Sequence, residues 1–294
     1  MKRRVMTQSL VDAYGCWMYQ NEKSPATVRK YHYYLTLFFR YAAGRELDKE
    51  LVMGWKEYLK QRLAPATVNG ALAALNGLFR HLHWEDCVVK LIRIKQCVFY
   101  PEQKELTREE YARMVRTAEQ MGNERMAMLL RTVCVTGIRI SELRFITVEA
   151  LKRRAVEVEC KGKIRTVFLT EGLCGLLQKY AQKHGIREGM LFATRTGKPL
   201  DRSNIWREMK RIGELAGVSG TKVFPHNLRH LFARTYYSQE KDLLRLSDIL
   251  GHSSINTTRI YTMESGGNHI RQMERMGLLI EPGDREYNRI PLLL

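Results

Sequence analysis

The chain has 294 residues, of which 45% are apolar, and its 49 lysines and arginines against 31 aspartates and glutamates give a net charge of +18. The apolar content suffices for buried cores and excludes a wholly disordered chain, and the length suits two domains better than one. No apolar run approaches the roughly 20 residues that span a bilayer, and the basic start, Met1–Arg4, does not lead into a signal-peptide core. The composition therefore predicts a protein that is neither membrane-embedded nor secreted, with a polyanionic partner.

The first part of the chain has helical patterning throughout. Pro25-Ala26-Thr27-Val28 recurs 40 residues later as Pro65-Ala66-Thr67-Val68, and proline suits the first turn of a helix. Apolar residues at helical spacing follow both starts. We predict a bundle of four or five helices over residues 1–95 and a linker containing Pro101 over residues 96–104.

A mixed domain is predicted over residues 105–280, followed by a tail over 281–294. Thr107 and Glu110 form a capping-box pattern that announces a helix, and Val156 and Val158 alternate with glutamates ahead of a turn at Lys161–Lys163. A β-hairpin is therefore expected near 155–169, and the fold class is mainly α with a small β-sheet (α+β). Helices are predicted near 107–120, 123–135, 170–184, 203–216, 226–238, 242–250, 255–263 and 265–279.

The cysteines have no Cys-x-x-Cys pair, which excludes zinc-finger spacing. Most stand among apolar neighbours, so we expect reduced core thiols of a cytosolic protein rather than disulfides or metal ligands. The six residues are Cys16, Cys87, Cys97, Cys134, Cys160 and Cys174.

Familiar metal and nucleotide motifs are missing from the sequence. It has no phosphate-binding glycine-rich loop and no clustered carboxylates for magnesium, and the His226–His230 pair lacks a third ligand nearby. We therefore expect neither a metal nor a cofactor. Phosphoryl chemistry without a metal draws its positive charge from arginine, and it needs a nucleophile and an acid for the leaving oxygen.

Three motifs supply such groups. Arg139 is the fourth residue of the motif Thr-Gly-Ile-Arg-Ile-Ser-Glu-Leu. Arg229 is the last residue of His226-Asn227-Leu228-Arg229. His252 follows a Leu-Gly pair, and Tyr261 comes nine residues after it. This set resembles the signature of the tyrosine recombinase (phage integrase) family, in a short two-domain form like the Xer-type enzymes. All six active-site positions of that family carry the residue type that the family uses: Arg139, Lys161, His226, Arg229, His252 and Tyr261.

The resemblance implies a helical core-binding domain, a catalytic domain of the DNA breaking-rejoining type and a covalent mechanism. Tyr261 would attack a DNA phosphate to give a 3′-phosphotyrosine and a free 5′-hydroxyl. His226 is expected to help the phenol lose its proton, although His252 remains an alternative base. Lys161, at the hairpin tip, would protonate the leaving oxygen, and Lys163 could reach the same place.

The arginines would hold the phosphate. Arg139 and Arg229 are expected to stabilise the charge that grows on the non-bridging oxygens, with a hydrogen bond from His252. Glu142 is expected to orient Arg139, although a plain helical ion pair between them explains the same spacing. Further DNA contacts are predicted at Arg29, Lys30, Asn69, Lys163 and Arg165.

The implied function is site-specific DNA recombination, by integration, excision, inversion or dimer resolution. The expected partners are double-stranded DNA with specific recombination sites and three further copies in a synaptic tetramer, with room for an accessory protein. The early start of the core-binding pattern leaves no space for an additional N-terminal arm-binding domain, which favours simple sites. The apolar end, residues 290–294, either docks on a neighbouring subunit or packs on its own domain.

Two alternatives stay open at this point. One is a topoisomerase-like enzyme that nicks and reseals DNA, and the other is a non-catalytic DNA-binding regulator of the same fold. In every case the expected location is the bacterial cytoplasm, at the nucleoid.

Overall fold

A computed structural model describes residues 4–94, 104–160, 163–252, 254–259 and 266–279. The chain divides into two compact units between residues 96 and 97, which we call the helical unit and the mixed unit. The predicted linker and the predicted tail lie largely or wholly outside the described residues. Among the described helices, none is long and apolar enough to cross a bilayer.

The helical unit contains four α-helices within residues 4–94, as the sequence predicted. The second begins at Pro25, where the Ser24 hydroxyl caps its first turn, and the fourth begins at Pro65 after Ala64, which provides no side-chain cap. The helices are α1 (Gln8–Gln20), α2 (Pro25–Ala42), α3 (Lys49–Lys60) and α4 (Pro65–His81), followed by a short 3₁₀ turn (Glu85–Cys87).

The core of the helical unit lies between the apolar faces of these helices. Trp55 of α3 packs edge-on against Phe38 of α2, with ring centroids 4.9 Å apart, and Phe79 of α4 meets Phe38 at 6.3 Å. All three rings are almost completely buried. Burial of such side chains stabilises a fold by about 1.5–3 kcal/mol each.

Two asparagines of α4 bind the extended segment that leaves this unit. Asn76 donates to the Val89 carbonyl at 2.8 Å and accepts from its N–H at 3.1 Å, and Asn69 makes the same pair of bonds with Ile92. Seven residues of helix rise about 10.5 Å, and three residues of extended chain span about 10 Å, so the two spacings match. The segment therefore runs back along α4 in a fixed register.

The mixed unit surrounds one large core with helices and a two-stranded antiparallel sheet. The strands pair in the register Ala155↔Phe168 to Cys160↔Lys163, which places Val156, Val158 and Val167 on the buried face. The elements are α5 (Arg108–Gln120), α6 (Glu124–Thr136), α7 (Val148–Arg153), β1 (Ala155–Cys160), β2 (Lys163–Phe168), α8 (Glu171–Lys183), α9 (Arg202–Leu215), α10 (Pro225–Glu240), α11 (Leu243–Leu250), α12 (Ile255–Arg259) and α13 (Gly266–Arg275).

The predicted elements of this unit are found close to their expected bounds, with one correction and two additions. The Thr107–Glu110 capping box starts α5, as predicted. The last helix was expected to reach residue 279, but α13 ends at Arg275 because Gly277 turns with a φ of +61°. The two additions are α7 and the 3₁₀ helix Ile140–Phe145, which the sequence patterns did not predict.

The cysteines that can be described are free thiols. Cys87 and Cys174 are buried, and burial raises the pKa of both, which keeps them protonated. The expectation of a core thiol is wrong for Cys16, which is exposed. It lies two positions from both Tyr14 and Met18, on the opposite face of α1 from these buried residues.

Candidate active site

Four of the six predicted active-site residues belong to the described part of the chain. Arg139 follows the end of α6, His226 and Arg229 lie three apart in the first turns of α10, and His252 follows the end of α11. The structure brings these side chains together from positions more than 100 residues apart in the sequence. Lys161 and Tyr261 lie outside the described residues, as does the side chain of Lys163.

Gly137 determines how Arg229 approaches the end of α6. This glycine ends α6 with a φ of +64°, and a Cβ there would lie 2.5 Å from Cδ1 of Phe232 on α10. Only glycine combines this backbone conformation with so close an approach. The Arg229 guanidinium consequently reaches the Gly137 carbonyl and donates to it.

Three arginines bind three consecutive carbonyls at the end of α11. Arg165 donates to the carbonyl of Ile249 at 3.0 Å, Arg229 to that of Leu250 at 2.5 Å, and Arg139 to that of Gly251 at 3.3 Å. The C-terminal carbonyls of a helix carry partial negative charge, which favours cations at this end. The end of α11 therefore gathers guanidinium groups that would otherwise repel one another.

Glu142 supplies the formal negative charge of the cluster. Its carboxylate is 2% exposed and accepts from Arg139 Nη1 at 2.9 Å and from Arg165 Nη2 at 2.6 Å. It also accepts from the backbone N–H of Arg139 at 2.9 Å. A buried carboxylate that is paired in this way fixes both the backbone and the side chain of Arg139.

His252 contacts Arg229 through one ring nitrogen and Thr258 through the other. Arg229 Nη2 lies 3.0 Å from His252 Nε2, and the buried Thr258 hydroxyl lies 2.8 Å from Nδ1. Burial, reinforced by Arg229 and Arg139, lowers the His252 pKa to about 4. The ring is therefore neutral at pH 7. Because an arginine can only donate, Nε2 accepts and Nδ1–H donates to Thr258.

His226 lines a cavity of about 190 Å³ together with Arg139 and Arg229. Burial lowers the His226 pKa below 6.5, with Arg229 and Arg139 as further causes, so the ring is neutral and able to accept a proton. Its ring packs edge-on against His230, with centroids 4.7 Å apart. The His226–His230 spacing is thus accounted for by ring packing, and no group of three or more metal-binding side chains occurs within the described ranges.

The predicted DNA contacts separate into three groups. Arg29 and Lys30 are exposed on α2, where a phosphate can reach them. Both polar atoms of the Asn69 amide are bound to Ile92. The side chain of Arg165 is 10% exposed and binds Glu142 and the Ile249 carbonyl.

Sequence reasoning missed the structural roles of Arg165 and Thr258. A signal for Arg165 was available, because strand register pairs it with Val158 and so places it on the buried face of the hairpin. An arginine on a buried face needs acceptors. Thr258 gave no comparable signal, since a single threonine within a helix is unremarkable without its neighbours.

Sequence comparison connects both units with known families. The profile described as "Phage integrase family" matches residues 104–266, and that described as "Phage integrase, N-terminal SAM-like domain" matches residues 17–86. Tyrosine recombinase XerA of Thermococcus kodakarensis is 26% identical over 280 residues, covering 92% of this chain and 96% of that protein. Tyrosine recombinase XerD of Pseudomonas aeruginosa is 34% identical over 143 residues, 46% of this chain and 48% of that protein.

Solved structures share the fold. The XerH site-specific recombinase bound to difH substrate in a pre-cleavage complex has a TM-score of 0.67 at 22% identity, covering 94% of this chain and 85% of that chain. A lambda integrase tetramer bound to a Holliday junction has a TM-score of 0.72 at 18% identity, covering 88% of this chain and 78% of that chain.

Proposed function

This chain belongs to the phage integrase family, and we propose that it exchanges DNA strands with Tyr261 as the nucleophile. The protein is a site-specific DNA recombinase of the tyrosine type. One observation supports the assignment of its residues most directly: Arg139, Arg229 and His226 line one cavity, and His252 contacts Arg229. A protein that only binds DNA has no need of such a cluster.

The proposed reaction exchanges one phosphodiester for another. The Tyr261 oxygen bonds to phosphorus while the bond to the 5′-oxygen breaks, which leaves a 3′-phosphotyrosine and a 5′-hydroxyl. Lys161 gives the departing oxygen its proton. The 5′-hydroxyl of a partner strand then attacks the phosphotyrosine and releases Tyr261, so the reaction needs no ATP.

The two arginines serve the transition state. Arg139, with a side chain that is 30% exposed, provides the outer donor, and the buried Arg229 provides the inner one. Before DNA arrives, Arg139 is held by Glu142 and the Gly251 carbonyl, and Arg229 is held by the carbonyls of Gly137 and Leu250. Donors held in place in this manner stabilise developing charge without reorganising during the reaction.

His226 and His252 have different roles in the proposed reaction. His226 is neutral, lies in the same cavity and takes the proton of Tyr261 as general base. His252 holds Arg229 in the DNA-free protein. A bound phosphate brings negative charge, which raises the pKa of a nearby histidine and favours the protonated form that can donate to it.

Recombination joins two duplexes through four cuts, and we propose that four copies assemble on two specific DNA sites. The apolar tail, residues 290–294, is the proposed docking segment between copies, and an accessory protein can add to this assembly. Short sites of a mobile element or of a chromosome are the proposed substrates, and these place the protein in the bacterial cytoplasm with the nucleoid.

A covalent-trapping experiment tests the proposal. DNA fragments flanking the protein's own gene are incubated with the protein in the absence of added metal, denatured in SDS and examined for a protein–DNA adduct. The wild type is expected to form the adduct. Tyr261→Phe is expected to lower it at least ~1,000-fold while DNA affinity stays within about twofold, because one hydroxyl carries the chemistry.

The control is Tyr19→Phe, which removes a hydroxyl from an exposed tyrosine of the helical unit and should leave the adduct unchanged. A Tyr261→Phe protein that still rearranges DNA would contradict the mechanism. No observation favours the topoisomerase-like enzyme or the non-catalytic regulator. Strand exchange between two duplexes, as opposed to relaxation of supercoils alone, separates the recombinase from the first of these.

A further inference from the structure

Arg165 lies on the inward face of the β-hairpin, among the buried side chains. In the strand register it stands opposite Val158, which is fully buried, and its own side chain is 10% exposed. A guanidinium in such a place is destabilising unless protein acceptors replace the lost water. Its surroundings therefore show what it binds in place of solvent.

Arg165 connects three segments that carry proposed catalytic residues. Its Nη2 donates to Glu142 at 2.6 Å, and its Nη1 donates to the carbonyl of Ile249 at 3.0 Å. Its alkyl chain lies against Gly251, where a Cβ would come within 2.2 Å of Arg165 Cδ. The hairpin that bears Lys161 is thereby joined to the segment of Arg139 and to the segment that leads into His252.

We propose that Arg165 is a positioning residue for the recombination reaction, acting on Arg139 through the carboxylate of Glu142. This inference rests on the proposed function. Glu142 has two oxygens: Oε1 holds the side chain of Arg139, and Oε2 holds its backbone N–H together with Arg165. Arg165 therefore fixes the orientation of the carboxylate that aims Arg139.

The contacts of Arg165 distinguish this role from a direct one. Both of its terminal nitrogens are engaged by protein acceptors, and little of the side chain is exposed, so the phosphate is contacted by Arg139 and not by Arg165. Loss of Arg165 leaves Glu142 free to rotate and loosens the guanidinium of Arg139. A misplacement of about 1 Å at a reacting centre can lower a rate ~100-fold.

The test measures single-turnover cleavage of a nicked duplex that carries the site mapped by covalent trapping. At saturating protein, Arg165→Gln is expected to cleave about 10- to 100-fold more slowly, with a Kd for the duplex within about twofold of the wild type. Arg165→Lys, which keeps the charge but has a single ammonium in place of the fork that spans Glu142 and Ile249, should cleave at a measurably reduced rate, between those of Arg165→Gln and the wild type. Arg187→Gln removes an equal charge from an exposed site and should behave as the wild type.

A double-mutant cycle with Glu142→Gln identifies the route. Because both residues act on Arg139 together, the double variant should cleave no more slowly than the slower single variant. The proposal is overturned if Arg165→Gln cleaves at the wild-type rate, if the two defects multiply, or if affinity falls as much as the rate.

If Arg165→Gln does not fold by circular dichroism, Arg165→Lys alone is used, and a rate within experimental error of wild type overturns the proposal. Absence of an adduct from the wild type would count against the proposed function instead.

Discussion

At the scale of single residues, the site is a cluster of guanidinium groups held by one carboxylate and by backbone carbonyls. Arg139 and Arg165 share one buried carboxylate, and Arg229 relies on backbone carbonyls. The neighbouring histidines stay neutral because burial lowers their pKa, and the positive charge of Arg229 and Arg139 lowers it further. His226 therefore starts the reaction neutral and able to accept the proton of Tyr261, and His252 is neutral in the DNA-free protein.

A buried neutral histidine makes stability depend on pH. Burial lowers the pKa of His230 to about 3, whereas an unfolded chain protonates histidine near 6.5. Between these values the unfolded state binds more protons, so the free energy of unfolding should fall as the pH falls from 6.5 toward 3. The effect amounts to a few kcal/mol at most, since each pKa unit is worth about 1.4 kcal/mol.

Chemical unfolding of wild type and His230→Gln at a series of pH values measures this effect. The variant cannot titrate at this position, so its free energy of unfolding should vary less steeply with pH over that range. His184→Gln, which removes an exposed imidazole, is the matched control. An unchanged slope in His230→Gln would show that the folded protein carries a charged His230.

For the site residues that the structure describes, local sequence motifs were easier to recognise than the contacts that the side chains make. His226-x-x-Arg229 is recognisable because both residues lie on one short stretch of helix, where spacing fixes geometry. The partners of Asn69 and Arg165 lie 23 and 84 residues away, at Ile92 and Ile249. Contacts of that separation depend on packing between elements, which local patterns do not contain.

At the scale of elements, helix ends carry much of the architecture. The capping box of α5 was readable, because it needs only Thr107 and Glu110 at fixed spacing. The sequence indicated that a helix ends at Gly251, but it did not indicate that the side chain of Arg165 packs against this glycine. The 3₁₀ helix after Arg139 could not be predicted, since its six residues are too few to show a hydrophobic periodicity.

The asparagine pair on α4 provides a test at this scale. Asn76→Ala leaves the buried N–H and carbonyl of Val89 without their partner, which should lower the free energy of unfolding by about 2–4 kcal/mol. Asn69→Ala removes the partly buried pair of hydrogen bonds with Ile92 and should lower the free energy of unfolding by about half as much. Tryptophan fluorescence during urea unfolding reports on this unit, which holds three of the four tryptophans. Equal losses in the two variants would contradict the argument from burial.

At the scale of the whole molecule, the dominant quantity is the net charge of +18. A protein that neutralises DNA phosphates releases the counterions bound to them, so its affinity for DNA falls as the salt concentration rises. For each phosphate contacted, a tenfold increase in salt concentration weakens Kd by about 0.9 logarithmic units. Fold class and the existence of two units were both predictable, since composition and periodicity act over long stretches of chain. The order in which the elements pack was not.

Salt titrations of DNA binding test whether Arg29 and Lys30 contact phosphates. Replacing both by Gln should reduce the steepness of log Kd against log salt by roughly two phosphates' worth, about 1.8, because each contact contributes ~0.9. Asn69→Ala should leave the slope unchanged, since its amide is bound to Ile92. A double variant with the wild-type slope would show that neither side chain contacts a phosphate.

The three carbonyls at the end of α11 also affect which amino-acid substitutions this part of the protein can tolerate. Arginines that bind main-chain oxygens do not require a particular side chain at residue 249, provided that the helix still ends at Gly251. Residue 249 can therefore accumulate substitutions while the guanidinium groups stay in place, whereas the buried Leu250 and the glycines at 137 and 251 are constrained by packing.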